Sequence, residues 1–229
     1  MTAIANLEQA RFNMIEQQIR PWEVLDPTVL HLLAVTRRED FVPAALKAMA
    51  CVDMEIPLQN GGKSASTAGQ CMLAPKVEAR MLQELHVQKH ERVLEIGAGS
   101  GYMASLLGHR AQQVISLEID PTLCELARSN LKKSGVYNVE VRHADGATAE
   151  LSEGPFDVIL LSGSVDHVPA SLLAQLKVGG RLGAIVGDEP MMRATFITRV
   201  DASAISTVQP WDTVAPRLLN FPHPSRFTF

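Results

Sequence analysis

The sequence predicts an α/β protein with a doubly wound sheet of about seven strands and a small helical cap before it. Two observations carry this expectation. From residue 74 onward, short apolar runs alternate with amphipathic helical segments, which is typical of parallel strands with helices on both faces of a sheet. Before residue 74, apolar residues recur at helical spacing, so we divide the chain into a cap with a long loop (residues 1–73) and a sheet domain (residues 74–229).

The composition excludes several classes of protein. Of the 229 residues, 46% are hydrophobic, so the chain can bury a sizeable core and is not expected to be disordered. The net charge of −4 and the lack of Lys/Arg blocks argue against nucleic-acid binding, and the apolar runs are too short to cross a membrane. The N-terminus lacks the pattern of a secretory signal, and three cysteines without a C-x-x-C pair give no zinc signature. We therefore expect a cytoplasmic protein without a metal site.

Three helices are predicted in the cap, over residues 4–19, 27–34 and 43–48. Pro21 ends the first helix, and Asp26 followed by Pro27 is a typical helix start. Residues 57–70 are rich in glycine and serine and are too long for a simple connection, which indicates either disorder or a function.

In the sheet domain, helices are predicted over residues 75–86, 102–108, 121–134 and 170–176. Strands are predicted over residues 92–96, 114–117, 139–142, 156–161 and 181–186. After Asp188 the helical segments stop, and runs at 194–200 and 205–214 predict a hairpin that closes the sheet. The C-terminal FPHPSRFTF is too apolar for a free tail, so we expect it to pack on the domain or across a dimer interface.

The turn after the first predicted strand of the sheet is the most informative segment. Gly97, Gly99 and Gly101 let a ligand lie against the backbone beside a helix N-terminus. A dinucleotide fingerprint requires a glycine at the sixth place of this motif, where the chain has Tyr102. Glu95 precedes the turn; its carboxylate would repel a pyrophosphate but suits the cationic methionine end of S-adenosylmethionine.

Two more carboxylates follow the next two strands. Glu118 comes 21 residues after Gly97, where an acidic side chain can accept hydrogen bonds from ribose hydroxyls. Asp145 follows the third strand and can accept a hydrogen bond from an adenine amino group. A sheet with helix-capping acids and no ligand is the alternative. The predicted cofactor-binding residues are Glu95, Gly97, Gly99, Gly101, Tyr102, Glu118, Ile119, Asp145, Gly146 and Ser162.

These segments resemble a known family. VLEIGAGSGY, SLEID, HADG, FDVILLSG and LKVGGRLGAIVG are similar to the consecutive motifs of class I S-adenosylmethionine-dependent methyltransferases. MIEQQIR, REDFVP, IPLQ and the GQ-x4-P-x3-ARM stretch resemble the protein-L-isoaspartate O-methyltransferase family. The resemblance implies a Rossmann-like sheet, S-adenosylmethionine as cofactor, a substrate loop within residues 1–73, and methylation of the isoaspartyl carboxylate in damaged proteins or peptides. We expect a monomer or a homodimer.

The chain departs from the family's pattern at the substrate loop. Cys71 and Leu73 stand where the family has hydroxyl residues, and a leucine side chain cannot donate a hydrogen bond to a carboxylate. Ser64, Ser66 and Thr67 lie upstream and are alternative donors.

A second departure follows the strand that ends at Leu161. Asp166 and His167 are candidate catalytic residues there, because a histidine beside an aspartate can act as the base for a phenol, hydroxyl or amine acceptor. The alternative is that Asp166 caps the helix that starts near Pro169 and that His167 is solvated. Two other functions therefore stay open: a diverged methyltransferase for another small-molecule or protein acceptor, and an S-adenosylmethionine-binding protein without transfer activity.

Overall fold

The computed structural model describes residues 3–59 and 70–223 of the chain. The proposed alternative donors Ser64, Ser66 and Thr67 lie outside the described residues, as do the last six residues of the C-terminal tail.

The cap begins with a helix whose geometry changes along its length. Helix α1 (Ala3–Met14) continues as a π-helix over Ile15–Ile19 and as a 3₁₀-helix over Arg20–Trp22. Pro21 lies in the 3₁₀ turn that ends this helical segment, in keeping with a residue that offers no N–H and whose ring clashes with the preceding turn. The prediction of one regular helix over residues 4–19 was therefore only partly right.

The rest of the cap consists of helix α2 (Pro27–Val35) and two 3₁₀-helices, Arg38–Asp40 and Ala44–Met49. Asp26 caps α2 as predicted, because its Oδ1 accepts a hydrogen bond from the Thr28 N–H at 2.7 Å.

Two short strands were missed by the sequence analysis. Strand β1 (Ile56–Pro57) pairs antiparallel with β2 (Cys71–Met72), so the two ends of the glycine-serine loop are held together by a ladder of backbone hydrogen bonds. Runs of two residues carry no periodic signal, which is why the pattern did not reveal them.

The large sheet has seven strands in the part of the chain that the structure describes. These are β3 (Arg92–Ile96), β4 (Gln113–Glu118), β5 (Val139–His143), β6 (Phe156–Val165), β7 (Leu176–Asp188), β8 (Met191–Arg199) and β9 (Ile205–Asp212). Their order is β5-β4-β3-β6-β7-β8-β9; the first five are parallel, and β8 and β9 form the predicted antiparallel hairpin. The helices of this part are α3 (Pro75–Leu85), α4 (Tyr102–Arg110), α5 (Pro121–Ser134) and α6 (Ala170–Ala174).

The sheet is buried on both faces. Along β3 and β6, Val93 and Val158 belong to a core layer shared with the cap, whereas Leu94 and Ile159 belong to a second layer that includes Leu172 of α6. Alternate side chains of a strand point to opposite faces, so both faces are covered. The predicted doubly wound α/β class is confirmed.

Strands β6 and β7 extend well beyond their predicted bounds. β6 runs to Val165, with an irregularity in its pairing to β7 between Leu160 and Ser164, and β7 starts at Leu176, where a helix was predicted. Leu176 is buried and pairs with Phe156 of β6, so pairing with the neighbouring strand overrides the helical pattern of the local sequence.

A buried arginine joins the cap to the sheet domain. Arg38 is fully buried; it donates hydrogen bonds to the carbonyl oxygens of Ala50 (2.9 Å) and Leu73 (2.6 Å) and forms an ion pair with Glu78 of α3. The shared core layer contains residues from both sides of the boundary between residues 73 and 74. The division of the chain into two domains at this boundary stays a prediction. No helix among the described residues is long and apolar enough to cross a membrane.

Candidate functional site

The glycine turn lies at the point where the order of the strands reverses. The chain leaves β3 toward β4 on one side and returns from β5 to β6 on the other, which opens a crevice at the carboxyl ends of these strands. Gly97, Gly99 and Gly101 have φ angles of +97°, +52° and +82°, a region that glycine adopts without strain.

A cavity of about 250 Å³ opens beside this turn. Its floor requires residues without side chains: a Cβ on Gly146 would lie 2.2 Å from Ile96 Cγ2, and one on Gly97 would lie 2.9 Å from Leu218 Cδ2. Seven of the ten predicted cofactor-binding residues line the cavity: Gly97, Gly99, Glu118, Ile119, Asp145, Gly146 and Ser162.

Glu118 is held firmly at the cavity wall. Its Oε2 accepts a hydrogen bond from the Gly99 N–H at 2.8 Å, and its Oε1 accepts one from the Asp120 N–H at 3.0 Å. Burial raises the pKa of Glu118, while these backbone donors favour its charged form. Each carboxylate oxygen keeps a second lone pair, so the side chain can also accept a hydrogen bond from a ligand.

Asp145 lies on another part of the same wall. Its Oδ1 accepts a hydrogen bond from the Ala147 N–H at 2.9 Å, and its Oδ2 accepts one from the Asn220 amide at 2.8 Å. The C-terminal segment therefore reaches the carboxylate that the sequence assigned to adenine.

Glu95 lies below the cavity rather than on its wall. Its carboxyl accepts hydrogen bonds from Ser116 Oγ (2.6 Å) and Ser162 Oγ (2.8 Å), and Ser162 itself lines the cavity. Burial, together with the charges of Glu78 and Glu118, raises the pKa of Glu95 to about 8. The raised pKa favours the protonated form of Glu95, and its role toward a cationic ligand stays a prediction.

Gly101 and Tyr102 also do not lie on the cavity wall. Gly101 precedes helix α4 and packs against Ala127 of α5, where a Cβ would lie 3.2 Å from the backbone. The Tyr102 ring is buried under the cap, beneath the Arg38 guanidinium (5.0 Å) and beside Phe41 (5.3 Å between ring centroids). The Tyr102 side chain therefore belongs to the core layer shared with the cap and not to the cavity wall.

The cavity fits an adenosine-type ligand better than a phosphate. Glu118, Asp120 and Asp145 are carboxylates on its wall, and Arg217, the one cation among the described lining residues, is paired with Asp166. A phosphate would be repelled by these carboxylates, whereas ribose hydroxyls and an amino group would donate to them. Among the described residues, no group of three or more His, Cys, Asp or Glu side chains could hold a metal ion.

Comparison with known proteins identifies the family. A family model described as protein-L-isoaspartate(D-aspartate) O-methyltransferase matches residues 9–210. A protein-L-isoaspartate O-methyltransferase 1 of Syntrophobacter fumaroxidans is 40% identical over 183 residues, which cover 80% of this chain and 82% of the relative. A protein-L-isoaspartate O-methyltransferase of Koribacter versatilis is 36% identical over 199 residues, which cover 87% and 85% of the two chains. The chain belongs to the protein-L-isoaspartate O-methyltransferase family.

The fold agrees with this family. The crystal structure of a Plasmodium falciparum protein assigned to it, in complex with S-adenosyl-L-homocysteine, superimposes with a TM-score of 0.73, at 19% identity, over 93% of this chain and 97% of that one. The predicted family, enzyme class and cofactor, an O-methyltransferase that uses S-adenosylmethionine, are confirmed.

The two substrate-loop residues that depart from the family pattern lie at different depths. Cys71 lines the cofactor cavity and a smaller adjoining cavity, and it shares both walls with Gly97, Gly99 and Ser162. Leu73 lines only the smaller cavity and belongs to the hydrophobic core. Of these two residues, the cysteine lines the larger cavity.

The two catalytic candidates of the sequence analysis do not reach the cavity wall. Asp166 forms an ion pair with Arg217 at 2.6 Å and lies against the His223 ring, while His167 is exposed. The alternative role of Asp166 as a helix cap is not realised either, because Pro169 occupies the N-cap position and no side chain caps α6. The longer β6 explains both outcomes, since it carries these residues beyond the cavity.

Sequence reasoning missed the C-terminal part of the cavity wall. Arg217, Leu218, Leu219 and Phe221 line the cavity, although they follow the last strand of the sheet. The apolar character of the C-terminal segment indicated packing, and Phe221 does pack in the core, but nothing in the sequence located that packing.

Proposed function

We propose that this protein methylates the free carboxylate of isoaspartyl residues in damaged proteins and peptides. The observation that carries the proposal is a cofactor cavity whose described wall has no free base: it holds no histidine or lysine, and Glu118, Asp120 and Asp145 are tied by hydrogen bonds. An acceptor that is already an anion at neutral pH needs no base, and a carboxylate is such an acceptor.

Different residues of the cavity would bind different parts of the cofactor. When bound, S-adenosylmethionine supplies an electrophilic methyl group on a good leaving group. Glu118 would accept hydrogen bonds from the ribose and Asp145 one from the adenine amino group, while the glycine turn lets the ligand approach the backbone. Orientation of the acceptor and exclusion of water then supply much of the rate enhancement.

We assign the acceptor to the wall that the two cavities share, beside Cys71. Burial, followed by the effect of Glu55, raises the pKa of Cys71 to about 12, so this side chain stays a neutral thiol. A neutral thiol is a poor nucleophile, and its S–H donates to the Glu55 carboxyl, so Cys71 is a residue that contacts the acceptor and not a covalent catalyst.

A pair of synthetic peptides tests the proposal. One peptide contains an isoaspartyl linkage, and its twin contains the normal aspartyl linkage at the same position. With labelled S-adenosylmethionine, we expect transfer to the isoaspartyl peptide alone. Transfer to neither peptide, with S-adenosylhomocysteine still bound, would reject the acceptor and keep the cofactor.

The finer predictions on partners and location are also part of this proposal. A damaged protein is the expected partner and nucleic acid is not, in keeping with the net charge of −4. The three cysteines are unpaired, which supports a cytoplasmic location. Cell fractionation tests the location, and light scattering distinguishes a monomer from a homodimer.

A further inference from the structure

We infer that Asp166 is a positioning residue, which anchors the C-terminal strap (residues 215–221) as the outer wall of the cofactor cavity. The sequence analysis considered Asp166 as part of a catalytic base. The structure places its carboxylate outside the cavity, on a segment that follows β6, where it binds the strap instead.

The strap is seated on β6 by backbone hydrogen bonds. The Ser164 N–H donates to the Pro216 carbonyl at 2.8 Å, and the Leu218 N–H donates to the Ser164 carbonyl at 3.0 Å. The Ser164 hydroxyl donates to the Ala215 carbonyl at 2.7 Å. Ser164 and Arg217 thus form a parallel bridge, which directs the strap across the carboxyl ends of the strands.

The strap covers the glycine turn. Leu218 lies so close to the backbone that a Cβ on Gly97 would be 2.9 Å from its Cδ2, and a Cβ on Gly163 would be 2.8 Å from the same atom. Farther along, Asn220 donates to Asp145 at 2.8 Å. The strap therefore runs from the end of β6 to the carboxylate of Asp145, and four of its residues line the cavity.

Ion pairs of Arg217 hold the beginning of the strap. Arg217 Nη2 lies 2.6 Å from Asp166 Oδ1 and 3.2 Å from Asp188 Oδ1, and these two aspartates stand at the carboxyl ends of neighbouring strands. The Asp166 side chain is 11% exposed, whereas that of Asp188 is 51% exposed. Arg217 also donates a hydrogen bond to Asp188, but water screens exposed pairs far more than buried ones, so the pair with Asp166 is the less screened of the two.

The second oxygen of Asp166 faces the His223 ring, which comes from the same C-terminal segment. The ion pair with Arg217 thus holds the segment to β6, and the His223 ring lies against the same carboxylate. Loss of the carboxylate charge should loosen the strap and so change how tightly the cofactor is held, without changing the chemical step. The inference concerns cofactor binding alone, so it can stand or fall independently of the proposed acceptor.

The test compares Asp166→Asn with Asp157→Asn. Asp157 is a matched control, because it lies at the opposite end of β6 and is paired with Lys177. We expect Asp166→Asn to weaken the binding of S-adenosylhomocysteine by about tenfold, mainly through faster dissociation, while the control leaves it unchanged. Calorimetry and stopped-flow fluorescence measure the two quantities.

Kinetics separate a positioning role from a catalytic one. In an assay with an acceptor that the enzyme methylates, Asp166→Asn should raise the KM for S-adenosylmethionine and leave kcat and its pH profile unchanged. Asp166→Glu should restore much of the affinity. A lower kcat with unchanged S-adenosylhomocysteine affinity would overturn the inference in favour of a base.

Two further measurements need no acceptor. In a double-mutant cycle, Arg217→Met should weaken the binding of S-adenosylhomocysteine as Asp166→Asn does, and the double variant should bind no more weakly than either single variant. Additive losses would contradict the role of Asp166 as an anchor.

Hydrogen exchange tests the strap without ligand. The Leu218 amide hydrogen should exchange with solvent faster in Asp166→Asn than in Asp157→Asn. If Asp166→Asn fails to fold, Leu218→Ala tests the strap on its own. Unchanged affinity of Leu218→Ala for S-adenosylhomocysteine would show that the strap is not part of the binding site.

Discussion

At the scale of single residues, Glu118 links the glycine turn to the cavity wall. Its carboxylate accepts hydrogen bonds from the N–H groups of Gly99 and Asp120 and still faces the cavity. We expect Glu118→Ala to weaken S-adenosylhomocysteine binding by about 1–3 kcal/mol, the scale of a hydrogen bond to a charged group. Calorimetry measures this loss, with Glu125→Ala as an exposed control on α5. Equal affinities of the two variants for S-adenosylhomocysteine would show that Glu118 does not bind the cofactor.

The buried carboxyl of Glu95 predicts a pH dependence. Its pKa is near 4.5 in the unfolded chain and about 8 in the folded protein, because burial disfavours the charge. Between these values the folded protein holds a proton that the unfolded chain has lost, so this group lowers the free energy of unfolding as the pH rises.

Glu95→Gln removes that contribution. Relative to wild type, we expect this variant to gain stability as the pH is raised from 5 to 8, as measured by urea denaturation at each pH. Glu125→Gln serves as the exposed control. Parallel stability profiles of wild type and Glu95→Gln would show that Glu95 ionises normally.

Cys71 tests the departure from the family pattern. A hydroxyl is a stronger hydrogen-bond donor than a thiol, so Cys71→Thr should increase kcat/KM for the isoaspartyl peptide by a few-fold, the scale of one neutral hydrogen bond. The affinity for S-adenosylhomocysteine should stay the same. A decrease in kcat/KM with unchanged affinity would mean that the thiol itself suits the acceptor.

At the scale of elements, the joint between the cap and α3 depends on Arg38. This side chain is fully buried and satisfies Glu78 and two carbonyl groups. Removing one partner of a buried pair leaves an unpaired charge, so Arg38→Met should lower the free energy of unfolding by about 3–5 kcal/mol. The neighbouring Arg37 is 56% exposed, and Arg37→Met should change it by less than about 0.5 kcal/mol. Similar losses in the two variants would refute this account of the joint.

The elements that could be predicted are those with a strong local signal. The five parallel strands and the helices between them follow from hydrophobic periodicity, and Asp26 caps α2 as its sequence position indicates. The start of β7 at Leu176 could not be predicted, because pairing with Phe156 decides it and the two residues are twenty positions apart. The extension of β6 past Leu161 also depends on pairing with β7, through Ser164 and Val165. Asp166 follows this extension and does not line the cavity.

At the scale of the whole molecule, the site combines three distant parts of the sequence. The glycine turn and the acids at the carboxyl ends of β4 and β5 could be found by motif spacing, because the parallel strands bring their ends to one edge. Cys71 reaches this edge through the β1–β2 pairing, and the strap through Ser164. Those contacts join segments without a common pattern, so sequence reasoning could name Cys71 but could not place the strap.

The central claim is that the acceptor is a carboxylate, and the chemical nature of the methylated product tests it most directly. A heat-aged protein, rich in isoaspartyl linkages, is incubated with the enzyme and methyl-labelled S-adenosylmethionine, and the product is then exposed to mild base. A carboxyl ester hydrolyses under these conditions, whereas a methylated amine or phenol does not. We predict that the label is released as volatile methanol. Label that stays bound to the protein after this treatment would contradict the account.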